Sequence, residues 1–471
     1  MTSSLPLVAP RFVPPLDESF RPAVLANRLF RQRVAEAGGG VPLVLGLERS
    51  DGELTRFETY LLPEAHPQAE SNLMYVERLV KFLLWARGGW RLYVGGPKAV
   101  ADFLARVYSP EGERAFDYHF MGEQVYERTF TVVHCAPQEV PPANERGKPL
   151  GRHLDGCRIG FDLGASDRKV SAVIDGQPVY SEEVVWEPRK HADPEYHYRE
   201  IMTALRTAAS KMPRLDAIGG SSAGIYINNR PMVASLFRSV PKEDYHKVRD
   251  LFLRIRRELG VPLEIINDGD VTALAGSMSL EDNGILGIAL GSSEAAGYVD
   301  MDGHIVTWLS ELAFAPVDYQ PQAPVDEWSG DRGVGSQYFS QQCVFRLAPR
   351  AGIQIPAEVT DAEKLKFVQE KLETGHDGAL KIWQTMGIYM GYAIAHYAEF
   401  YPIRHVLILG RCTSGRGGQL ILEGAQQVLQ AEFPDLAHIH IQLPDEKSRR
   451  VGQSIAAASL PEIPQSDKEG L

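Results

Sequence analysis

The sequence predicts an α/β fold, and three observations carry that prediction. Arg158 to Lys169, RIGFDLGASDRK, reads as a half-buried strand ending in a polar turn: Ile159, Phe161 and Leu163 alternate with other residues, and Gly164 lets the backbone turn. The same grammar recurs where the strand Ile285 to Leu290 enters Gly291-Ser292-Ser293 and returns as Ala296 to Asp300. Between these hairpins, helical apolar spacing alternates with short apolar runs ending in Gly, Asn or Asp, the order expected of strands and helices in layers.

The elements follow in order. Met1 to about Asn27, rich in proline and without period, reads as an extended arm. Strands at Leu43 to Leu47 and Thr55 to Leu61 flank the turn Ser50-Asp51-Gly52, and a helix follows around Tyr75 to Trp85. Arg91 to Val94 is a strand into Gly95-Gly96, Lys98 to Tyr108 an amphipathic helix, Phe130 to Cys135 a strand, and Pro137 to Asp155 a linker. After the central strand, Val170 to Ile174 pairs back and closes at Asp175-Gly176. Then come a helix at Tyr198 to Lys211, a strand at Leu215 to Ile218, a helix at Asp244 to Leu259 and a strand at Leu263 to Ile266. An Ala-rich helix runs from Val271, a strand covers Val406 to Gly410, and helices run from Gln419 and over Ser448 to Ser459.

Composition narrows the function. With 471 residues, 44% hydrophobic and 23% charged, the chain has room for two to four domains of roughly 100 to 200 residues. A net charge of −12 disfavours nucleic acid as a partner, and the basic runs RIRR near Arg254 and KSRR near Lys447 read as solvated helix faces. No signal-like N-terminus and no stretch of about 18 apolar residues is present, so no membrane partner is expected and a cytoplasmic location is. Cys135, Cys157, Cys343 and Cys412 lie far apart without a CxxC, which predicts reduced thiols and no zinc.

Candidate chemistry sits at the strand ends. Asp162, Ser166 and Lys169, with the open backbone at Gly164, can hold a phosphate; the sequence is not the Walker pattern. Gly219-Gly220-Ser221-Ser222-Ala223-Gly224 reads equally as a ligand-facing turn or a plain strand-to-loop turn. Asn267-Asp268-Gly269-Asp270 reads as chemistry at a strand end or as capping of the helix behind it.

The motifs Asp162-Leu163-Gly164-Ala165-Ser166, Ile266-Asn267-Asp268, Leu290-Gly291-Ser292 and Leu409-Gly410, in that order, resemble the first phosphate motif, catalytic loop, second phosphate motif and adenosine motif of the ROK sugar kinases. These belong to the actin, Hsp70 and hexokinase superfamily. The resemblance runs from about Arg158 to Leu460. It implies a two-lobed actin-like ATPase (ribonuclease H-like) fold closing over a cleft, with an additional N-terminal α/β unit. The implied division is 1–155 for that unit, 156–280 for the first lobe, 281–450 for the second, and 451–471 for a C-terminal helix and tail packing on the first.

The resemblance also assigns roles. Asp268 is the base, Asn267 and Glu311 bind the sugar, Asp162 attends Mg2+, and Gly164, Ser166, Lys169, Gly291, Ser292 and Gly410 bind ATP. The family's zinc cysteines are missing, and Phe314 stands where a histidine follows the Glu by three residues. Asp331 and Arg332 lie where the zinc segment would be and read as pocket-shaping residues or as a structural ion pair. Glu294 would put a negative charge near a phosphate unless magnesium or a salt bridge offsets it, and Arg411 and Cys412 take positions that are normally glycine.

The function this implies is an ATP-dependent sugar kinase, because phosphoryl transfer needs a carboxylate base, a metal-binding aspartate and phosphate-cradling turns. The alternative is a non-catalytic sugar or nucleotide sensor. For residues 1–155 the hairpin, helix, strand, helix order parallels that from Ile285 to Gln419, as in a reduced copy of the second lobe or an unrelated module of similar order. Gly46-Leu47-Glu48-Arg49 has no hydroxyl to cradle a phosphate, so packing or dimerisation, as in a homodimer, fits that unit better.

Overall fold

The hairpin read at Arg158 to Ile174 is present, and its turn shows why. Asp175 has φ 47° and Gly176 φ 78°, so both central residues take the left-handed conformation that a two-residue turn with the strands' own twist requires. The computed structural model describes residues 5–145, 150–443 and 446–464; part of the linker, 146–149, and the side chains of KSRR lie outside the described residues. Its strands are β1 (Val41–Glu48), β2 (Leu54–Leu61), β3 (Arg91–Gly95), β4 (Thr131–Cys135), β5 (Cys157–Leu163), β6 (Asp167–Ile174), β7 (Gln177–Val185) and β8 (Ala217–Ser222). There follow β9 (Ile225–Ile227), β10 (Arg230–Val233), β11 (Leu263–Asn267), β12 (Ile285–Leu290), β13 (Glu294–Val299), β14 (His405–Leu409) and β15 (His440–Gln442). The sheet orders are β2-β1-β3-β4, β10-β9, β11-β8-β5-β6-β7 and β13-β12-β14-β15. The described residues form two units, 5–145 with 288–296 and 307–443, and 150–287 with 297–306 and 446–464.

In the second of these units β5 lies at the centre of the five-stranded sheet. It pairs antiparallel with β6 and parallel with β8, and β8 pairs parallel with β11. The alternation in β5 predicts burial of one face, yet Arg158 and Gly160 are as buried as Ile159 and Phe161. The reason is glycine on the other face. A Cβ on Gly160 would stand 2.0 Å from Ser454 O and one on Gly219 1.6 Å from Ala457 O, so the helix Glu446–Ala458 lies directly on backbone. Phe161 and Leu163 pack instead with Ile201, Leu205, Phe252 and Ile255 of helices Pro194–Ala209 and Leu251–Leu259. Gly219 to Ser222, read as a turn, are therefore the end of β8, and the chain turns only at Ala223-Gly224.

The other unit departs from the expected order at its start. Helix Ala23–Glu36 occupies the end of the expected arm and the nine residues after it, with Ala23, Ala26, Asn27, Phe30 and Val34 on the buried side. Small residues and a buried Asn27 dilute the apolar period. The segment before it is extended and docked: Phe12 N–H donates to Tyr392 Oη at 3.1 Å and Leu16 N–H to Thr385 Oγ1 at 3.2 Å. Both acceptors lie on helix Asp377–Tyr397, which is apolar almost all round and packs closely on helix Arg416–Glu432 through Gly387 and Gly391. Asp331 is a buried ion-pair member, contacting Arg78, Lys81 and Arg114. Among the described residues no helix is long and apolar enough to cross a membrane.

Candidate functional site

Parallel strands deliver their C-terminal ends to one edge of a sheet, and β5, β8 and β11 do so side by side. Register then fixes the neighbours. Asp162 of β5 stands opposite Ser221 of β8, and Ser222 of β8 opposite Asn267 of β11. Ser221 Oγ donates to Asp162 Oδ1 at 2.8 Å, while Lys169, opposite Asp162 on β6, adds a positive charge. Burial nevertheless wins and raises the Asp162 carboxyl, with Ser221 and Lys169 pulling it back down.

Asn267 and Asp268 share the Gly269 N–H, which donates to Asn267 Oδ1 at 2.7 Å and to Asp268 Oδ1 at 3.0 Å. Asn267 is the cap of helix Asp268–Leu280: its Oδ1 accepts from Gly269 N–H at 2.7 Å, and its Nδ2 donates to Gly224 O at 2.8 Å. Asp268 opens the helix, and burial together with the Asp162 charge pushes its carboxyl up to about 6. Asp270 is buried and accepts from Tyr298 N–H at 3.1 Å, a structural bond. Of two acids at the strand ends, one is thus raised by burial and by the charge of the other.

The turn between β5 and β6 is less open than its sequence. Gly164 N–H donates to Asp167 O, and Trp186 Nε1–H donates to Gly164 O at 2.9 Å. Ser166 Oγ donates to Asp167 Oδ2 at 3.1 Å, and Lys169 Nζ lies 3.4 Å from Asp167 Oδ1. A phosphate here must compete with one carboxylate for both groups. Asp167 was legible as a residue and not as a competitor, because that depends on the fold of the turn.

Gly291, Ser292, Glu311 and Gly410 belong to the other unit. Ser292 is exposed, and the turn is held by Gly291 N–H to Ser293 O at 3.0 Å and Gln341 N–H to Gly291 O at 2.9 Å. Glu294 does not put a charge at this turn as expected. It is buried, accepts from Tyr397 Oη–H at 3.2 Å, and burial with the nearby Glu311 pushes its carboxyl up to about 8. Gly410 has φ 100° and touches the Leu290 backbone; the Cys412 side chain points into the core, so of the two substitutions after Gly410 only Arg411 is exposed. Two residues escaped the sequence reading. Ser221 was one of several turn serines until register placed it on Asp162, and Tyr226 of β9 is near enough for the Asp268 and Asp162 charges to add to the upward push of burial on its phenol.

No protein-family model matches the sequence, and no curated protein matches it. Solved structures do match. A ROK-family transcriptional regulator, a homologue of the Escherichia coli Mlc protein, is 16% identical, with 65% of this chain and 79% of its own covered and a TM-score of 0.52. A ROK hexokinase from Thermus thermophilus is 15% identical, with 64% and 97% covered and a TM-score of 0.50. The fold is the one seen in these ROK-family structures, as the motif order implied.

Proposed function

We propose that this chain is a sugar kinase that transfers the γ-phosphoryl group of ATP to a sugar hydroxyl, with Asp268 as general base. What supports this reading is the sheet edge where β5, β8 and β11 end side by side and bring Asp162, Asn267 and Asp268 together, with burial and the Asp162 charge raising the Asp268 carboxyl. A sensor has no need of a poised base. A helix cap does not account for the upward shift either, since the Gly269 N–H that Asp268 Oδ1 shares with Asn267 pulls the carboxyl down.

The residues at the strand ends fit magnesium. Asp162 offers hard carboxylate oxygen held by a hydroxyl, the donor that Mg2+ prefers when it keeps most of its waters and takes phosphate oxygens as further ligands. Among the described residues no group of three His, Cys, Asp or Glu forms a metal cage, and a one-carboxylate site does not require one. Magnesium, when bound, neutralises phosphate charge. In the unit of β5, Asn267 holds a sugar hydroxyl, Asp268 takes the proton of the attacking hydroxyl, and Gly164, Ser166 and Lys169 receive phosphate; in the unit of β12, Glu311 binds sugar and Gly291, Ser292 and Gly410 bind nucleotide.

A coupled nucleotide-release assay over hexoses, N-acetylhexosamines and polyols tests this. Release above background with one sugar, and its loss in Asp268→Asn, is the expected result. Sugar or nucleotide binding without turnover on the whole panel favours the second reading, a sensor. One observation supports that reading: Asp167 occupies the donors of the first phosphate turn.

A further inference from the structure

Glu294 is one residue beyond the turn Gly291-Ser292-Ser293, and its side chain goes inward rather than to solvent, leaving the residue 3% exposed. One oxygen, Oε1, accepts from the Tyr397 hydroxyl. The other, Oε2, meets no donor among the described residues. It is aimed at Gly335, where a Cβ would stand 2.0 Å from Oε2 and 2.5 Å from Leu312 O. A carboxyl oxygen and a carbonyl oxygen therefore converge in the space that glycine leaves. Two acceptors side by side in a dry site repel, whereas an acid that carries a proton on Oε2 donates to the carbonyl. Leu312 opens the single 3-10 turn Leu312–Phe314, and Glu311 is the residue immediately before it.

We propose that Glu294 is a positioning residue: as the neutral acid it ties the turn behind Glu311 to the hydroxyl-bearing turn at Gly291, and sugar held by Glu311 is released when Glu294 ionises. The proposal rests on the kinase reading for the sugar and on the geometry alone for the tie. The titratable groups around Glu294 are Glu311 on the turn and Tyr397 on the long helix, with Tyr401 beyond Tyr397. An ionised Glu294 would face the Glu311 charge and the Leu312 carbonyl from a buried position, so the turn or the side chain must move. Glu294→Gln keeps shape and a donor and cannot ionise; Glu294→Ala keeps neither.

The test is calorimetric binding of the sugar found active in the panel, between pH 7 and 9, on the full chain and both variants, with thermal melts from pH 5 to 9. Binding to the unmodified chain should weaken about tenfold per pH unit above about 8, because only the protonated form binds. Glu294→Gln should bind with an affinity that does not change over this range, and Glu294→Ala should bind poorly throughout. Parallel weakening of the unmodified chain and Glu294→Gln, or no weakening in either, overturns the proposal. If no sugar in the panel binds at any pH, the kinase reading falls, and the melts decide the tie alone. A melting temperature that falls as the pH rises from about 5 to about 8 and levels off above it in the unmodified chain, with no such fall in Glu294→Gln, supports it, and superimposable pH dependences refute it.

Discussion

Ser221 Oγ donates to Asp162 Oδ1 across a parallel strand pair, at 2.8 Å, and so stabilises the charged form of a carboxyl that burial pushes toward neutrality. A hydrogen bond to a charged group is worth about 1.5–3 kcal/mol. Ser221→Ala should therefore raise the magnesium concentration for half-maximal turnover about tenfold or more and leave the fold intact. Magnesium dependence that is unchanged in this variant would separate Asp162 from the metal.

Asp268→Asn keeps the shape of the side chain and removes its basicity, so turnover should fall about 10²–10⁴-fold with the melting temperature little changed. The pH profile gives a second check on the unmodified chain. A base acts ionised, and the carboxyl of Asp268 is pushed up to about 6, so kcat/KM should fall as the pH drops through about 6 rather than near 4. Because the Asp162 charge contributes to this shift, the limb belongs to the pair. An acid limb near 4 would contradict the poised base.

Asp167 holds Ser166 and Lys169 at the turn between β5 and β6. Its replacement by Asn removes one negative charge and leaves both groups in place. Exposed charge pairs are worth up to about 1 kcal/mol, so nucleotide affinity should rise by no more than about fivefold, and less at high salt. Weaker nucleotide binding in Asp167→Asn would show that the carboxylate is itself part of the nucleotide site.

The features legible in the sequence and those hidden in it have separate physical causes. Hairpins closed by Asp-Gly and strands ending in Gly or Asn-Asp depend on a few local residues, so β5, β6, β11 and β12 stand within a few residues of where the pattern puts them. Helix Asp377–Tyr397 gives no stripe because nearly every face is buried, and Ala23–Glu36 hides its stripe behind alanines and Asn27. The site divides in the same way. Asp162, Asn267 and Asp268 are strand-end residues and local; the bond of Ser221 to Asp162 depends on which strands pair, and the inward turn of Glu294 depends on Gly335, more than forty residues later. Glycine reads as a turn former throughout the sequence, whereas Gly160 and Gly219 serve close packing of a helix on a sheet.

A buried charge network and an exposed ion pair differ in how much stability each contributes. Asp331 lies 2.8 Å from Arg114 Nη1, 3.2 Å from Arg78 Nη1 and 3.6 Å from Lys81 Nζ; Lys81 Nζ also reaches Asp117 at 2.6 Å, and Glu77 joins Arg78 and Arg114 at 2.5 Å each. Three cations and three anions balance, so removing one anion strands positive charge in a dry site. Breaking such a network costs about 3–5 kcal/mol, while an exposed pair contributes up to about 1 kcal/mol. Asp331→Asn should therefore lower the denaturant midpoint markedly, and Asp102→Asn, which breaks the exposed Lys98–Asp102 pair, should barely move it. The sign with pH comes from Glu77. Burial opposes its charge, but Arg78 and Arg114 outweigh it and hold the carboxyl down at about 2, below its ordinary value of 4.5. The stability this contributes is present above pH 4.5 and is lost as the pH falls toward 2, where the group protonates in the folded state too. Equilibrium unfolding from pH 6 to 2 should show that loss in the unmodified chain and a smaller one in Glu77→Gln, which has already forfeited it at every pH. Equal losses in the two proteins would mean that acid unfolding is driven by other carboxylates.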